Sequence, residues 1–212
     1  MIGIYGGTFD PVHFGHLRTA LEVREALHLD EVRFIPCRQP PHRAQPVASP
    51  ELRVEMLRQA VADEAGFVVD TREIDRPGPS YMIDTLASLR AELGAATALC
   101  LILGHDAFLG LPGWQRWREL TNFAHLLVMT RPGVQAEWPA ALAAHLHDCI
   151  AADGDRLRDT PCGSVRFQPV TALDISATRI RELLRAGRSA RYLLPDAVLE
   201  TALASGLYPS RS

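Results

Sequence analysis

The sequence predicts an α/β fold: a doubly wound, mostly parallel sheet with helices on both faces, and a helical extension at the end of the chain. Three observations predict it. Short apolar runs alternate with longer amphipathic ones along the chain, as strands joined by helices do. The run at 98–103 is apolar throughout, as a strand buried on both faces requires. The 212 residues are 47% hydrophobic and 22% charged, the balance of a folded globule and not of a disordered chain. That length predicts one unit over 1–212, its C-terminal helical part starting at about 176.

The first apolar run, 2–5, is a strand punctuated by Gly6-Gly7, and the stretch from Gly15 to 28 carries Leu17, Leu21 and Leu27 at helical spacing. A second strand spans 32–36, and the Pro-rich, polar segment 36–50 is a loop. Ser49 reads as an N-cap, Pro50 as the first helical residue and Glu51 as a first-turn acid, opening a helix to about 64. A third strand at 67–70 leads into a Pro/Gly loop at 75–80 and a helix over 81–93. After the strand 98–103 come short helical pieces over 107–120, a strand at 125–130, a helix at 138–149 and a polar stretch at 153–164. The last strand, 165–169, precedes helices at 176–186 and 195–205. There are no repeats.

Charge and cysteine usage exclude several classes. A net charge of −3 gives no generally basic surface for nucleic acid. All 22 basic residues are Arg, which excludes a Schiff-base lysine and a P-loop lysine, although codon usage alone can produce such an inventory. Cys37, Cys100, Cys149 and Cys162 are widely spaced without a CxxC pair and read as free thiols. The N-terminus shows no basic leader, and the apolar stretch 95–103 falls well short of the ~20 residues a membrane span needs. The expected setting is the cytoplasm, with no membrane and no nucleic acid.

In parallel sheets of this kind ligands bind beyond the carboxyl ends of the strands, and each candidate motif falls there. The first runs Gly6-Gly7-Thr8-Phe9-Asp10-Pro11-Val12-His13-Phe14-Gly15-His16. Glycines let the backbone approach an anion, and the helix opening near Gly15 aims N–H groups and its dipole at that anion. His13 and His16 stand three apart at the helix entry and can face one point, there donating to phosphoryl oxygens. A zinc pair and two structural histidines are the alternatives; no Glu or Cys pair stands near to complete a metal site. The second motif is Ile175-Ser176-Ala177-Thr178-Arg179-Ile180-Arg181, with Ser176 a plausible N-cap. Hydroxyls, N–H groups and a guanidinium make an anion site, and simple capping beside solvated arginines is the alternative.

The first motif resembles the signature of the nucleotidyltransferases with an HxGH motif, and the second is similar to their ISxTxIR segment. Pro40-Pro41-His42-Arg43, Gly78-Pro79-Ser80-Tyr81 with Asp84-Thr85, and Gly104-His105-Asp106-x-Phe108 through Trp114 and Trp117 resemble the bacterial nicotinate-nucleotide adenylyltransferases; the similarity runs from residue 2 to about 185. The resemblance implies a Rossmann-like fold and transfer of AMP from ATP to nicotinate mononucleotide, giving deamido-NAD and pyrophosphate. It implies His13, His16 and Arg179 as catalytic residues. Gly6, Gly7, Thr8, Phe9, Gly15, Gly104, Asp106, Ile175, Ser176 and Thr178 would bind ATP, Asp106 through a ribose. Asp106 as a helix N-cap is the alternative.

Arg43, Ser80, Tyr81, Met82, Thr85, Trp114 and Trp117 would hold the mononucleotide. Tyr81, Met82 and Ile83 open a helix, so their N–H groups favour a carboxylate over a neutral amide. Many relatives carry Thr where Met82 stands, so the preference for a carboxylate holds here if the backbone reads it and not if that side chain does. Either Trp114 or Trp117 can stack on a pyridine ring or belong to the core, and Arg43 can be a phosphate ligand or a solvated loop residue. Mg²⁺ is expected on the ATP phosphates, with no metal held by the protein. The expected partners are ATP and nicotinate mononucleotide, and an oligomer is compatible with the sequence. Pantetheine phosphate or nicotinamide mononucleotide as acceptor, and a non-catalytic dinucleotide sensor, are the alternative functions.

Overall fold

The computed structural model describes residues 1–41, 44–130, 138–151, 156–171 and 173–207. In chain order the elements are β1 (Ile2–Gly7), α1 (Phe14–Ala26), β2 (Glu31–Pro36), α2 (Pro50–Val61), β3 (Phe67–Val69), α3 (Arg72–Asp75), α4 (Met82–Leu93), β4 (Leu99–Gly104), α5 (His105–Leu109), β5 (His125–Thr130), α6 (Ala140–Leu146), α7 (Arg156–Asp159), β6 (Val165–Pro169), α8 (Ala177–Arg185) and α9 (Asp196–Ala204). The six strands form one sheet in the order β3-β2-β1-β4-β5-β6, every pairing parallel. This is the doubly wound order, with its switch point between β1 and β4.

Side-chain alternation along the strands divides the interior in two. Ile4, Leu99, Leu101, Leu103, Leu126 and Val128 face one side, where Ile83, Leu86 and Leu89 of α4, Phe108 of α5 and Leu142 and Leu146 of α6 cover them. Val32, Phe34, Ile102 and Leu127 face the other, beneath α1, α2, α8 and α9, which contribute Val23, Leu57, Ile180 and Val198 among others. The C-terminal helices therefore complete one face of the sheet.

Local chemistry explains the element ends. Ser49 caps α2, its hydroxyl accepting from Leu52 N at 3.3 Å with Pro50 in the first turn; Ser176 caps α8, accepting from Arg179 N at 3.2 Å. Both caps agree with the sequence reading. Two short helices depart from it: α3 follows β3 directly, and α7 falls in the polar stretch. Neither reaches the length at which periodicity gives a signal. Gly6-Gly7, read as a turn, instead continue β1, in register with Ile35 and Pro36.

The most consequential feature is a fork in the sheet. β1 and β4 pair only over Ile2–Leu99, Gly3–Cys100 and Ile4–Leu101. Beyond those positions β1 keeps β2 and β4 keeps β5, and the two carboxyl ends part.

Candidate active site

The fork opens into a cleft of about 1350 Å³, lined by the ends of β1 and β4, the segments after β2 and β3, and the N-terminal turn of α8. The two anion motifs meet on one wall. A Cβ at Gly15 would stand 2.9 Å from His13 Nδ1 and 3.4 Å from the Ile175 carbonyl, so the two segments touch here and the missing side chain leaves room for the His13 ring. His13 and His16 stack with ring centroids 3.8 Å apart, and Phe9 packs edge-on against His16 at 5.1 Å. Phe9 is itself buried, in the left-handed region at φ 49°, a conformation that costs energy in a non-glycine residue and is sustained here by its packing.

His13 is buried, and its Nδ1 has no hydrogen-bond partner. Burial pushes its imidazole down to about 4, so the ring is neutral near pH 7. Leaving such an atom unpaired costs about 1–3 kcal/mol, an expense expected where a ligand has to be met.

Thr8, Gly7, Gly6, Ser176 and Thr178 also line this wall. Arg179 does not: it turns outward toward Glu182 at 3.5 Å, with its side chain 56% exposed. Arg181 lines the cleft instead, donating to the Asp10 carbonyl at 2.6 Å and to Thr178 Oγ1 at 3.1 Å. Residues two apart on a helix point about 200° apart, so only one of these arginines can face inward.

Asp10, part of the first motif but given no role there, is buried and accepts from Val47 N at 2.7 Å and Ala48 N at 3.1 Å. It ties the β1 loop to the segment before α2 and, through Arg181, to α8. Arg53 was missed too. Fully buried, it donates to the carbonyls of Thr8 at 2.8 Å and Cys37 at 2.7 Å, joining the loops after β1 and β2. A basic residue in the apolar register of α2, beside Val54 and Leu57, was the available signal.

On the opposite wall Gly104 leaves open space where a Cβ would be, and exposed Asp106 and half-buried Trp114 line the cleft. Gly104, not Asp106, is the N-cap of α5, so capping does not account for the aspartate. Trp117 goes to the core: it is buried, edge-on to His145 at 5.2 Å and covered by Arg118 at 4.6 Å.

On the floor, Ser80 Oγ accepts from Arg38 N at 2.8 Å, and Ser80 N donates to the Gln39 carbonyl at 2.9 Å. The first bonds back into α4 come from Asp84 N and Thr85 N to the Tyr81 carbonyl, leaving the N–H groups of Met82 and Ile83 without intrahelical partners. Met82 lies against Gly6, where a Cβ would approach its Cε to 2.5 Å. Thr85 does not line the cleft: it is fully buried and donates to Glu73 Oε1 at 2.6 Å. Arg43, with His42, lies outside the described residues. Among the described residues no group of three or more His, Cys, Asp or Glu side chains converges as a metal site.

Comparison with known proteins agrees with this architecture. The cytidylyltransferase-like family model matches residues 4–183, and the chain belongs to that family of nucleotidyltransferases. Its relatives narrow the assignment. It is 56% identical over 207 residues to "Probable nicotinate-nucleotide adenylyltransferase" of Halorhodospira halophila, covering 98% of this chain and 94% of the relative. It is 56% identical over 209 residues to the protein of the same description from Methylococcus capsulatus, covering 98% and 99%. Within the larger family, the chain is a member of the nicotinate-nucleotide adenylyltransferases. The fold is shared with a solved Plasmodium falciparum nicotinic acid mononucleotide adenylyltransferase complexed with NaAD, at TM-score 0.72 and 15% identity over 98% of this chain and 96% of that one.

Proposed function

We propose that this chain transfers AMP from ATP to nicotinate mononucleotide, releasing pyrophosphate and forming deamido-NAD, a step of NAD biosynthesis. The observation that carries the reading is the meeting of the His13–Gly15–His16 segment with Ile175–Thr178 at the fork of the sheet. There two helix N-termini, of α1 and α8, share one wall.

An oxygen of the mononucleotide 5′-phosphate attacks the ATP α-phosphorus in line, and the bond from that phosphorus to the bridging oxygen of the β-phosphate breaks. The acceptor is already ionised, so no side chain need serve as nucleophile. The protein supplies position and charge. Holding both reactants in one cleft contributes up to ~7–11 kcal/mol. His13 and His16 donate to the phosphoryl oxygens, and charge gathering there draws a proton onto His13, which burial otherwise keeps neutral. Arg181, with Ser176 and Thr178, receives the leaving pyrophosphate; Arg179 stands outside that wall and is the weaker candidate. Gly6, Gly7 and Thr8 let the triphosphate approach the backbone, and Asp106 accepts from a ribose. Mg²⁺ fits as a passenger on the phosphates, where it neutralises charge as pyrophosphate departs.

Trp114 stacks on the pyridine ring, and the N–H groups of Met82 and Ile83 hold its carboxylate; Ser80 and Thr85 act by fixing that turn. The chain works as one nucleotidyltransferase unit, its helical part from 176 finishing the phosphate wall. Its four free cysteines fit a reducing cytoplasm, and no described helix is long and apolar enough to cross a membrane.

The test is pyrophosphate release with Mg-ATP and either nicotinate mononucleotide or its amide. Strong preference for the acid is expected. Equal rates would remove the carboxylate site and keep the chemistry. Silence with both, followed by turnover of phosphopantetheine, would replace the acceptor, and binding of the dinucleotide without any turnover would favour a sensor.

A further inference from the structure

Glu73 is a buried carboxyl, 3% exposed, on the cleft floor beside Ser80, Tyr81 and Met82. Two hydroxyls donate to it: Thr85, at 2.6 Å, and Ser80. Arg76 reaches it only at second hand, its Nη2 donating to Thr85 Oγ1 at 3.1 Å. Asp70 at the end of β3, itself paired with Arg72, and the Cys37 thiol after β2 also act on it, and the next cations are Arg38, which donates to the Ile74 carbonyl, and Arg53, which donates to the Cys37 carbonyl. From α4 it receives only the Thr85 hydroxyl, Asp84 being exposed.

Thr85 belongs to the first turn of α4. The Glu73 carboxyl therefore lies against the same helical turn whose N–H groups, on the function proposed above, hold the nicotinate carboxylate. Two carboxylates sharing a site cannot both stay ionised cheaply, and one of them takes a proton. The ring carboxylate has N–H donors and a helix dipole to keep its charge. Glu73 has hydroxyls and one indirect cation.

We infer that Glu73 determines how strongly the cleft prefers an acid to its amide, the acid binding with Glu73 protonated and the amide binding whichever charge Glu73 carries. The proton comes from solvent and returns to it on release. Burial already raises the carboxyl, which favours its uncharged form. Glu73 touches no reacting atom; it is a positioning residue that acts through Thr85, Ser80 and its own charge.

The experiment measures kcat/KM for nicotinate and nicotinamide mononucleotide from about pH 6 to about pH 9, with the native protein and Glu73→Gln. Titration of the 5′-phosphate is common to both nucleotides and cancels in their ratio. In the native protein the acid-to-amide ratio is expected to fall as pH rises, by up to about tenfold per unit. In Glu73→Gln, which keeps an acceptor for Thr85 but cannot ionise, the ratio stays level and exceeds the native one at the alkaline end. A variant whose ratio tracks the native profile overturns the inference. So does equal loss with both nucleotides at an unchanged ratio, the mark of a purely structural role. If the variant does not fold, calorimetry of the native protein in buffers of different ionisation enthalpy decides: the acid must take up more protons than the amide, and equal uptake refutes the role. Silence with both nucleotides removes the function and this inference together, whereas turnover with a level native ratio removes the inference alone.

Discussion

Two buried histidines at opposite ends of the sheet differ in how much of their hydrogen-bonding capacity the fold uses. His13, at the carboxyl end of β1, has a buried Nδ1 with no partner. His125, opening β5 at the other end, has both nitrogens engaged: Nε2 with the Thr160 carbonyl at 2.8 Å and Nδ1 with Ser164 N at 3.1 Å. The Ser164 N–H makes Nδ1 an acceptor, so Nε2 carries the hydrogen and the tautomer is fixed. Beside it Arg90 satisfies the carbonyls of Phe123, Thr97 and Pro161. Burial lowers both imidazoles. What separates them is unused hydrogen-bonding capacity, concentrated where a ligand would supply the missing partner.

That contrast breaks most sharply under mutation. His13→Ala or His16→Ala should lower kcat by ~10²–10³ with little change in unfolding midpoint, measured by pyrophosphate release and thermal melts. His125→Ala should do the reverse, keeping turnover while losing about 1–3 kcal/mol of stability because it leaves Ser164 N and Thr160 O unpaired. A His13 variant within tenfold of native activity would put both histidines in the same class.

Arginine pairs give the next effect. Arg181→Ala should raise KM for ATP by roughly ten- to a hundredfold, the worth of a charge-assisted hydrogen bond, while Arg179→Ala changes it less than about twofold. The opposite order would return the pyrophosphate contact to Arg179.

The smallest effect is on stability near neutral pH. A histidine held neutral by burial disfavours the charged form in the fold, so stability is full above the unfolded value of 6.5 and declines as pH falls from there toward about 4 for His13. Denaturant midpoints across that range should slope less in His13→Ala, and His125 should contribute in the same direction. A variant with the native slope would show that His13 does not titrate in that window.

Periodicity and caps made the strands, the longer helices and the anion loops legible in the sequence, because apolar alternation and Ser caps act locally. The fork was not legible, since it depends on how far two strands 97 positions apart in register, Ile2 and Leu99, stay paired. The glycine and histidine motif was readable because its chemistry lies in consecutive residues. Arg179 and Arg181 could not be told apart without knowing which side of α8 faces the cleft. Trp117, Thr85 and Glu73 depend on tertiary partners: His145 for the indole, and a carboxyl twelve residues upstream for the threonine. Arg53 showed only as a basic residue in an apolar register and Asp10 only as a motif residue without a role, because the partners that explain them are backbone atoms of distant loops.

Because the mouth of the cleft arises where β1 and β4 cease to pair, its place in the fold is set by main-chain pairing, and the side chains that line it decide what it holds. On the proposed function, reaction centre and acceptor choice would be separable in engineering: exchanging segment 78–85 should re-address the cleft to another phosphorylated acceptor while the strands keep the phosphorus in place.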